Sequence, residues 1–177
     1  FYELYLNVDT EGYVFKKELG IYHPDSNEYA TIPYRHISSA LGSLKIDKAS
    51  STLLDYGCGK GRVLAYAAFC NFQRIIGVEN SRLIEIAEKN IKQMSHQKTS
   101  NILLEKCDAQ NFNIHSSVDI IFFYNPFVGT ILEQVIQNIY SSYQESPRRI
   151  TIIYFNNNAF ERIIFNYDWI KKIDQSQ

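Results

Sequence analysis

A doubly wound α/β fold with a mostly parallel sheet is the architecture this sequence predicts, and two observations carry the prediction. From residue 52 onward, short apolar runs alternate with stretches whose apolar residues recur at helical spacing. That alternation implies right-handed crossovers between parallel strands. Glycine placement is the second observation: the chain has only 8 glycines, and three of them stand within five residues at the first strand-to-helix turn.

Each element has its own justification. Residues 52–56 form a short apolar run ending at the glycine cluster, which reads as a buried strand. A helix follows over residues 61–71, with Val63, Leu64, Ala67 and Ala68 on one face. Residues 74–79 are a second strand. Over 81–95, Leu83, Ile84, Ala87 and Ile91 keep helical spacing, and Ser81 with Glu85 suits a helix start. Residues 101–105 read as a third strand. Val118–Tyr124 reads as a fourth, apolar as a strand covered on both faces should be. Residues 130–143 are helical (Ile131, Leu132, Val135, Ile136, Ile139), and 150–155 are a fifth strand. A short helix near 158–165 and a last strand near 168–173 complete the pattern.

Residues 1–50 differ. Residues 1–30 are polar and aromatic with no clear period, and 32–46 read as a helix with Ile37, Leu41 and Leu44 on one face. Pro33 is tolerated in its first turn. The expected organisation is an N-terminal capping segment over 1–50, covering a sheet edge or the ligand crevice, and a single binding unit over 51–177.

Composition excludes several classes. A chain of 177 residues, 45% hydrophobic and 21% charged, suits one globular domain rather than a disordered segment. Lys+Arg is 18 and Asp+Glu 19, a net charge of -1, which disfavours a basic nucleic-acid module. Cys58, Cys70 and Cys107 are widely spaced, so a disulfide framework and a zinc ribbon are poor readings and a reducing, cytoplasmic setting is expected. The four histidines lie far apart, and no metal is expected. No apolar run approaches the ~18 residues of a membrane span, and no leader opens the chain. Phe1 in place of Met suggests a cropped or processed N-terminus.

The informative stretch is Leu54-Asp55-Tyr56-Gly57-Cys58-Gly59-Lys60-Gly61-Arg62. One glycine would serve a tight turn; three imply close approach of a ligand to backbone at the carboxyl end of the first strand. The spacing G-x-G-x-G departs from the dinucleotide fingerprint and from the P-loop. Asp55, two residues before Gly57, is poorly placed for a phosphate and well placed for a cation.

This stretch resembles motif I, D-x-G-x-G-x-G, of the class I S-adenosylmethionine (SAM) methyltransferases. Over about residues 50–156 the resemblance implies a Rossmann-like, SAM-dependent transferase. SAM would be the cofactor, and Asp55, Gly57, Cys58, Gly59 and Gly61 would form the loop against its methionyl and ribose portions. SAM carries a sulfonium and no phosphate, which agrees with Asp55. Glu79, with Asn80 beside it, ends the second strand where a carboxylate can accept both ribose hydroxyls. Asp108, followed by Ala109, matches the acid that meets the adenine amino group. Asn125-Pro126-Phe127 ends the fourth strand and is similar to motif IV, [N/D]-P-P-[Y/F/W], of amino-methyltransferases, with one proline instead of two. Asn125 and Phe127 are the catalytic candidates: carbonyls at Asn125 and Pro126 can accept from a target amine, while Phe127 stacks on a planar group.

Tyr29 and Tyr34, flanking the cap helix, join Pro126 as candidate acceptor contacts. Lys60 and Arg62 read as solvated, or for Arg62 as paired with a nearby acid. The methyl acceptor stays unidentified, with a small molecule or protein side chain favoured over nucleic acid. Two alternatives stay open: a non-catalytic SAM-binding module, and an NAD-type oxidoreductase that the glycine spacing disfavours. Oligomeric state is not legible. Sheets of this family carry one strand more than can be placed, so either a strand is missing or the chain is a fragment.

Overall fold

The computed structural model describes residues 1–155, 158–164 and 167–171. The N-terminal segment contains α1 (Tyr2–Leu6), β1 (Tyr13–Val14), α2 (Lys16–Leu19), β2 (Tyr29–Ala30) and α3 (Tyr34–Ser43). The alternating portion contains β3 (Thr52–Tyr56), α4 (Arg62–Phe69), β4 (Arg74–Val78), α5 (Leu83–Gln93), β5 (Ile102–Glu105), β6 (Val118–Tyr124), α6 (Gly129–Glu145), β7 (Thr151–Phe155) and α7 (Asn158–Ile164).

Strands β3 to β7 form one parallel sheet in the order β5-β4-β3-β6-β7. The chain steps outward from β3 to β5, then returns to the other side of β3 with β6. The crevice at such a reversal lies outside the carboxyl ends of the two central strands, here β3 and β6.

Pleating sends successive side chains to opposite faces. On one face Leu53, Ile75, Ile120 and Phe122 pack with Ile37 and Leu41 of α3, Leu64 and Ala67 of α4, and Ile84 of α5. On the other, Leu54, Ile76, Ile121 and Phe123 pack with Leu132, Val135, Ile136 and Ile139 of α6 and with Phe160 of α7. Each fully buried side chain of this kind contributes roughly 1.5–3 kcal/mol. Double coverage explains why these strands lack a polar face.

The N-terminal segment is built in two ways. Leu6, Val8, Ile32, Ile37 and Leu41 join the first core, whereas no residue from 9 to 31 belongs to either core. Those intervening residues instead make a strap that carries the small antiparallel β1–β2 pair, in register Tyr13 with Ala30 and Val14 with Tyr29. Their elements are two to four residues long, too short to leave a periodic signature.

The strand expected near 168–173 is not formed over 168–171. Residues 167–170 turn, with the Ile170 N–H donating to Tyr167 O at 3.2 Å, and Trp169 stacks on Tyr140 of α6 at 5.1 Å. The apolar residues read as a strand are used to pack against α6. Positions 172–173 lie outside the described residues. Among the described residues the central sheet has five strands.

Candidate functional site

A cavity of about 270 Å³ opens at the crevice between β3 and β6. It is slightly smaller than the ~300–1,000 Å³ usual for small-molecule sites. Its walls come from the first glycine turn, the ends of β4, β5 and β6, and the strap.

The glycine turn follows β3. Gly57 N–H and Cys58 N–H both donate to Val78 O, at 2.9 and 3.1 Å, which stitches the turn to the end of β4. Gly59 has φ 53, and a Cβ there would overlap the ring of Tyr29 from the strap. At Gly57, with φ 70, a Cβ would overlap Pro126. Glycine is therefore required for both conformation and space. Glu79 braces the turn: Oε2 accepts from Gly59 N–H at 2.9 Å and Oε1 from Ser81 N–H at 2.8 Å. Each oxygen keeps acceptor capacity after those bonds.

Asp55 has no such partners. It is 3% exposed, lines the cavity, and receives no hydrogen bond among the described residues. Burial, reinforced by nearby Glu79, pushes its carboxyl pKa well above the ordinary range. Burial, then Asp55 and Glu79, also pushes the Cys58 thiol up, so Cys58 is not poised as a thiolate nucleophile. Asp108 Oδ1 accepts from Gln110 N–H at 2.9 Å and caps the short turn over Ala109–Asn111.

The strap closes the other end. Asn125 follows β6 in a left-handed conformation, φ 47. Asn27 Nδ2 donates to Asn125 O at 3.0 Å and to Asn125 Oδ1 at 3.1 Å, while Asn27 N–H donates to Pro126 O at 3.0 Å. Asp25 caps α6 from 105 positions away: its Oδ2 accepts from Thr130 N–H at 2.9 Å and Thr130 Oγ1 at 2.6 Å. Those bonds hold the Asp25 carboxyl below its ordinary pKa.

At its other end the strap meets Arg62, which is 5% exposed. Arg62 Nε donates to Thr10 Oγ1 at 2.7 Å and Nη1 to Ile32 O at 3.0 Å. Nη2 pairs with Glu3 at 2.9 Å and Glu11 at 2.6 Å, and the guanidinium lies over the Tyr34 ring at 4.4 Å. Asn90 adds a second tie, donating to Asp9 O and Lys60 O at 3.0 and 2.9 Å.

Ten sequence-derived candidates therefore surround one cavity: Asp55, Gly57, Cys58, Glu79, Asn80, Asp108, Ala109, Tyr29, Pro126 and Phe127. Gly59 and Gly61 do not line it. Asn125 turns its side chain to Asn27 instead of lining the cavity. Tyr34 lies outside it, donating to Glu3 Oε1 at 2.9 Å. Phe127 is 5% exposed and packs edge-to-face on Tyr56 and Phe123, with centroids 6.2 and 6.0 Å apart. Sequence reasoning missed Asn27 and Asp25, which sit in a segment without period or motif. Among the described residues no helix is long and apolar enough to cross a membrane, and no cluster of three His, Cys, Asp or Glu could hold a metal.

Residues 47–175 match the family described as "Methyltransferase domain". Protein arginine N-methyltransferase 1 of Dictyostelium discoideum is 30% identical over 95 residues, which is 54% of this chain and 27% of that protein. A SAM-dependent methyltransferase from Thiobacillus denitrificans, solved with S-adenosyl-L-homocysteine, superposes with TM-score 0.53 at 17% identity, covering 70% of this chain and 48% of the other. An RNA methyltransferase from Salinibacter ruber, also solved with S-adenosyl-L-homocysteine, gives TM-score 0.51 at 22% identity, covering 66% and 71%. The chain thus spans about a quarter of the curated relative it matches. At these identities the solved structures establish a shared fold. The family match covers well over half of the sequence, and the chain belongs to the methyltransferase domain family.

Proposed function

We propose that this chain is a SAM-dependent methyltransferase acting on an acceptor with a nucleophilic nitrogen, a small molecule or a protein side chain in preference to nucleic acid. The single observation that carries the reading is Asp55: a buried carboxyl, without a hydrogen-bond donor among the described residues, that lines the cavity beside backbone shaped by glycine. A cationic group brought there would stabilise the carboxylate that burial disfavours, whereas a phosphate beside it would disfavour that ionised form further. The donor set therefore fits SAM.

When bound, SAM would supply an electrophilic methyl group whose leaving group is the neutral thioether of S-adenosylhomocysteine. The protein's own residues bind and orient. Glu79 accepts the ribose hydroxyls with Asn80 beside it, and Asp108, at the start of the Ala109 turn, accepts from the adenine amino group. Gly57, Cys58, Gly59 and Gly61 allow close backbone approach. Tyr29 and Pro126 belong to the acceptor side, with Asn125 as the acceptor of the target N–H and Phe127 as an aromatic wall, while Tyr34, outside the cavity, supports Glu3 and Arg62. Alignment and exclusion of water are the main catalytic needs. Residues 1–50 act as a cap on a binding unit over 51–177. Three free cysteines agree with a reducing, cytoplasmic setting.

Calorimetry with S-adenosylhomocysteine and, separately, NADH tests the reading. Heat and thermal stabilisation are expected with the first alone; binding of NADH, or of neither, would overturn it.

A further inference from the structure

Three carbonyl acceptors converge at the end of β6, and one residue of the strap occupies all three. Asn27 Nδ2 lies 3.0 Å from Asn125 O and 3.1 Å from Asn125 Oδ1, and Asn27 N–H lies 3.0 Å from Pro126 O. A main-chain carbonyl can only accept, so the group facing Asn125 O must be the NH₂ of the Asn27 carboxamide, which fixes its orientation. Asn125 holds a left-handed backbone, φ 47, which turns its own carbonyl oxygen and its side-chain oxygen to the same donor. An sp² NH₂ between two carbonyl oxygens is what a carboxamide or an aromatic amine would present to the same pair.

We propose that Asn27 is a built-in stand-in for the methyl acceptor, its carboxamide filling a subsite for a planar N–H group and holding the strap over residues 22–30 latched until such a group takes its place. The identity of the displacing molecule as a methyl acceptor rests on the function proposed above. Two further observations favour a latch over a fixed brace. No residue from 22 to 30 joins either hydrophobic core, so opening this segment breaks mainly hydrogen bonds, the Ser26–Phe127 bridge and the packing of Tyr29 on Gly59. The cavity below is slightly small for a substrate site, and Tyr29, two residues after Asn27, sits on Gly59. Lifting this segment therefore uncovers the glycine turn and the Asn125–Pro126 carbonyls together.

The test uses the full chain and Asn27→Ala. Losing one side-chain hydrogen-bond donor near the surface corresponds to about a fivefold shift in an opening equilibrium. Amide hydrogen exchange at Asn27, Val128 and Thr130, whose N–H groups close onto Pro126 and Asp25, is expected to quicken by about that factor, while β3 and β6 amides stay protected. If the alanine variant loses core protection, Asn27→Ser, which keeps one hydroxyl donor, is read in its place.

NMR titration of the variant then uses acetamide as a carboxamide probe and aniline as an aromatic amine probe. N,N-dimethylacetamide, without N–H, is the control. Shifts at residues 125–128 with either N–H probe, larger in the variant than in the unchanged protein, support the latch, and the stronger probe identifies the acceptor class. Unchanged exchange, or equal shifts with the dimethyl control, overturns it. S-adenosylhomocysteine calorimetry on the unchanged protein separates the two claims. Binding without latch behaviour removes the latch alone. Latch behaviour without binding removes the methyl-acceptor assignment and the proposed function with it.

Discussion

The floor of the crevice and the strap above it are built by different means. Leu54, Ile76, Ile121 and Phe123 fix the floor through burial against α6, each worth roughly 1.5–3 kcal/mol. The strap is held by Asp25, Asn27 and Arg62 through hydrogen bonds and ion pairs whose net worth is about 0.5–1.5 kcal/mol apiece when neutral, because water can replace them. The contrast teaches that the two halves of one cavity have separable stabilities. The side that must hold a ligand's geometry is locked, and the side that must let it in is tied with bonds that reopen.

Removing an apolar side chain from the floor is the most damaging change. Leu54→Ala is expected to cost about 2–5 kcal/mol in urea unfolding, with strap and sheet lost in one transition. A strap that persisted after the sheet melted would break the contrast. Asp55→Asn acts on the floor with the opposite sign. An unfolded aspartate titrates near pH ~3.9, whereas burial raises the folded carboxyl, so between those values the folded state binds more protons. Stability therefore falls as pH rises above the unfolded value. The amide variant is expected to gain about 1–3 kcal/mol at neutral pH, to flatten that slope, and to weaken S-adenosylhomocysteine binding. An unchanged pH profile would count against an unpartnered carboxyl.

Gly59→Ala probes where the halves meet. Its positive φ and the overlap with Tyr29 predict about 1–2 kcal/mol of strain, faster exchange in the strap, and weaker nucleoside binding by calorimetry. The smallest effect sharpens the account of the floor. Tyr56 stacks on Phe123 at 5.3 Å, but its hydroxyl is buried with no partner among the described residues. Tyr56→Phe is expected to stay within about 0.5 kcal/mol in thermal unfolding, or to stabilise. A clear loss would mean that the hydroxyl has a partner.

The same contrast governs what was legible in the sequence. Continuous apolar runs announced β3, β4 and β6, and Gly57, Gly59 and Gly61 announced the turn, because packing and backbone geometry restrict residue type strongly. The strap left no comparable trace. Asn27 and Asp25 are ordinary polar residues whose partners, Asn125 and Thr130, lie 98 and 105 positions away. The sequence did offer Tyr29, which lines the cavity, and an acid pairing for Arg62, whose partners Glu3 and Glu11 could not be named from spacing. Trp169 and Ile170 misled because apolar residues packing onto a helix and residues of a short strand look alike over so few positions.

The guanidinium of Arg62 has a consequence for how the chain is made. Its bond to Glu3 spans 59 positions, and those to Thr10 and Ile32 span 52 and 30. Chains emerge from the ribosome N-terminus first. Glu3 and Glu11 must therefore wait for their arginine until the first βα unit has been synthesised. Assembly of the roof is in this way timed by the appearance of the floor it covers.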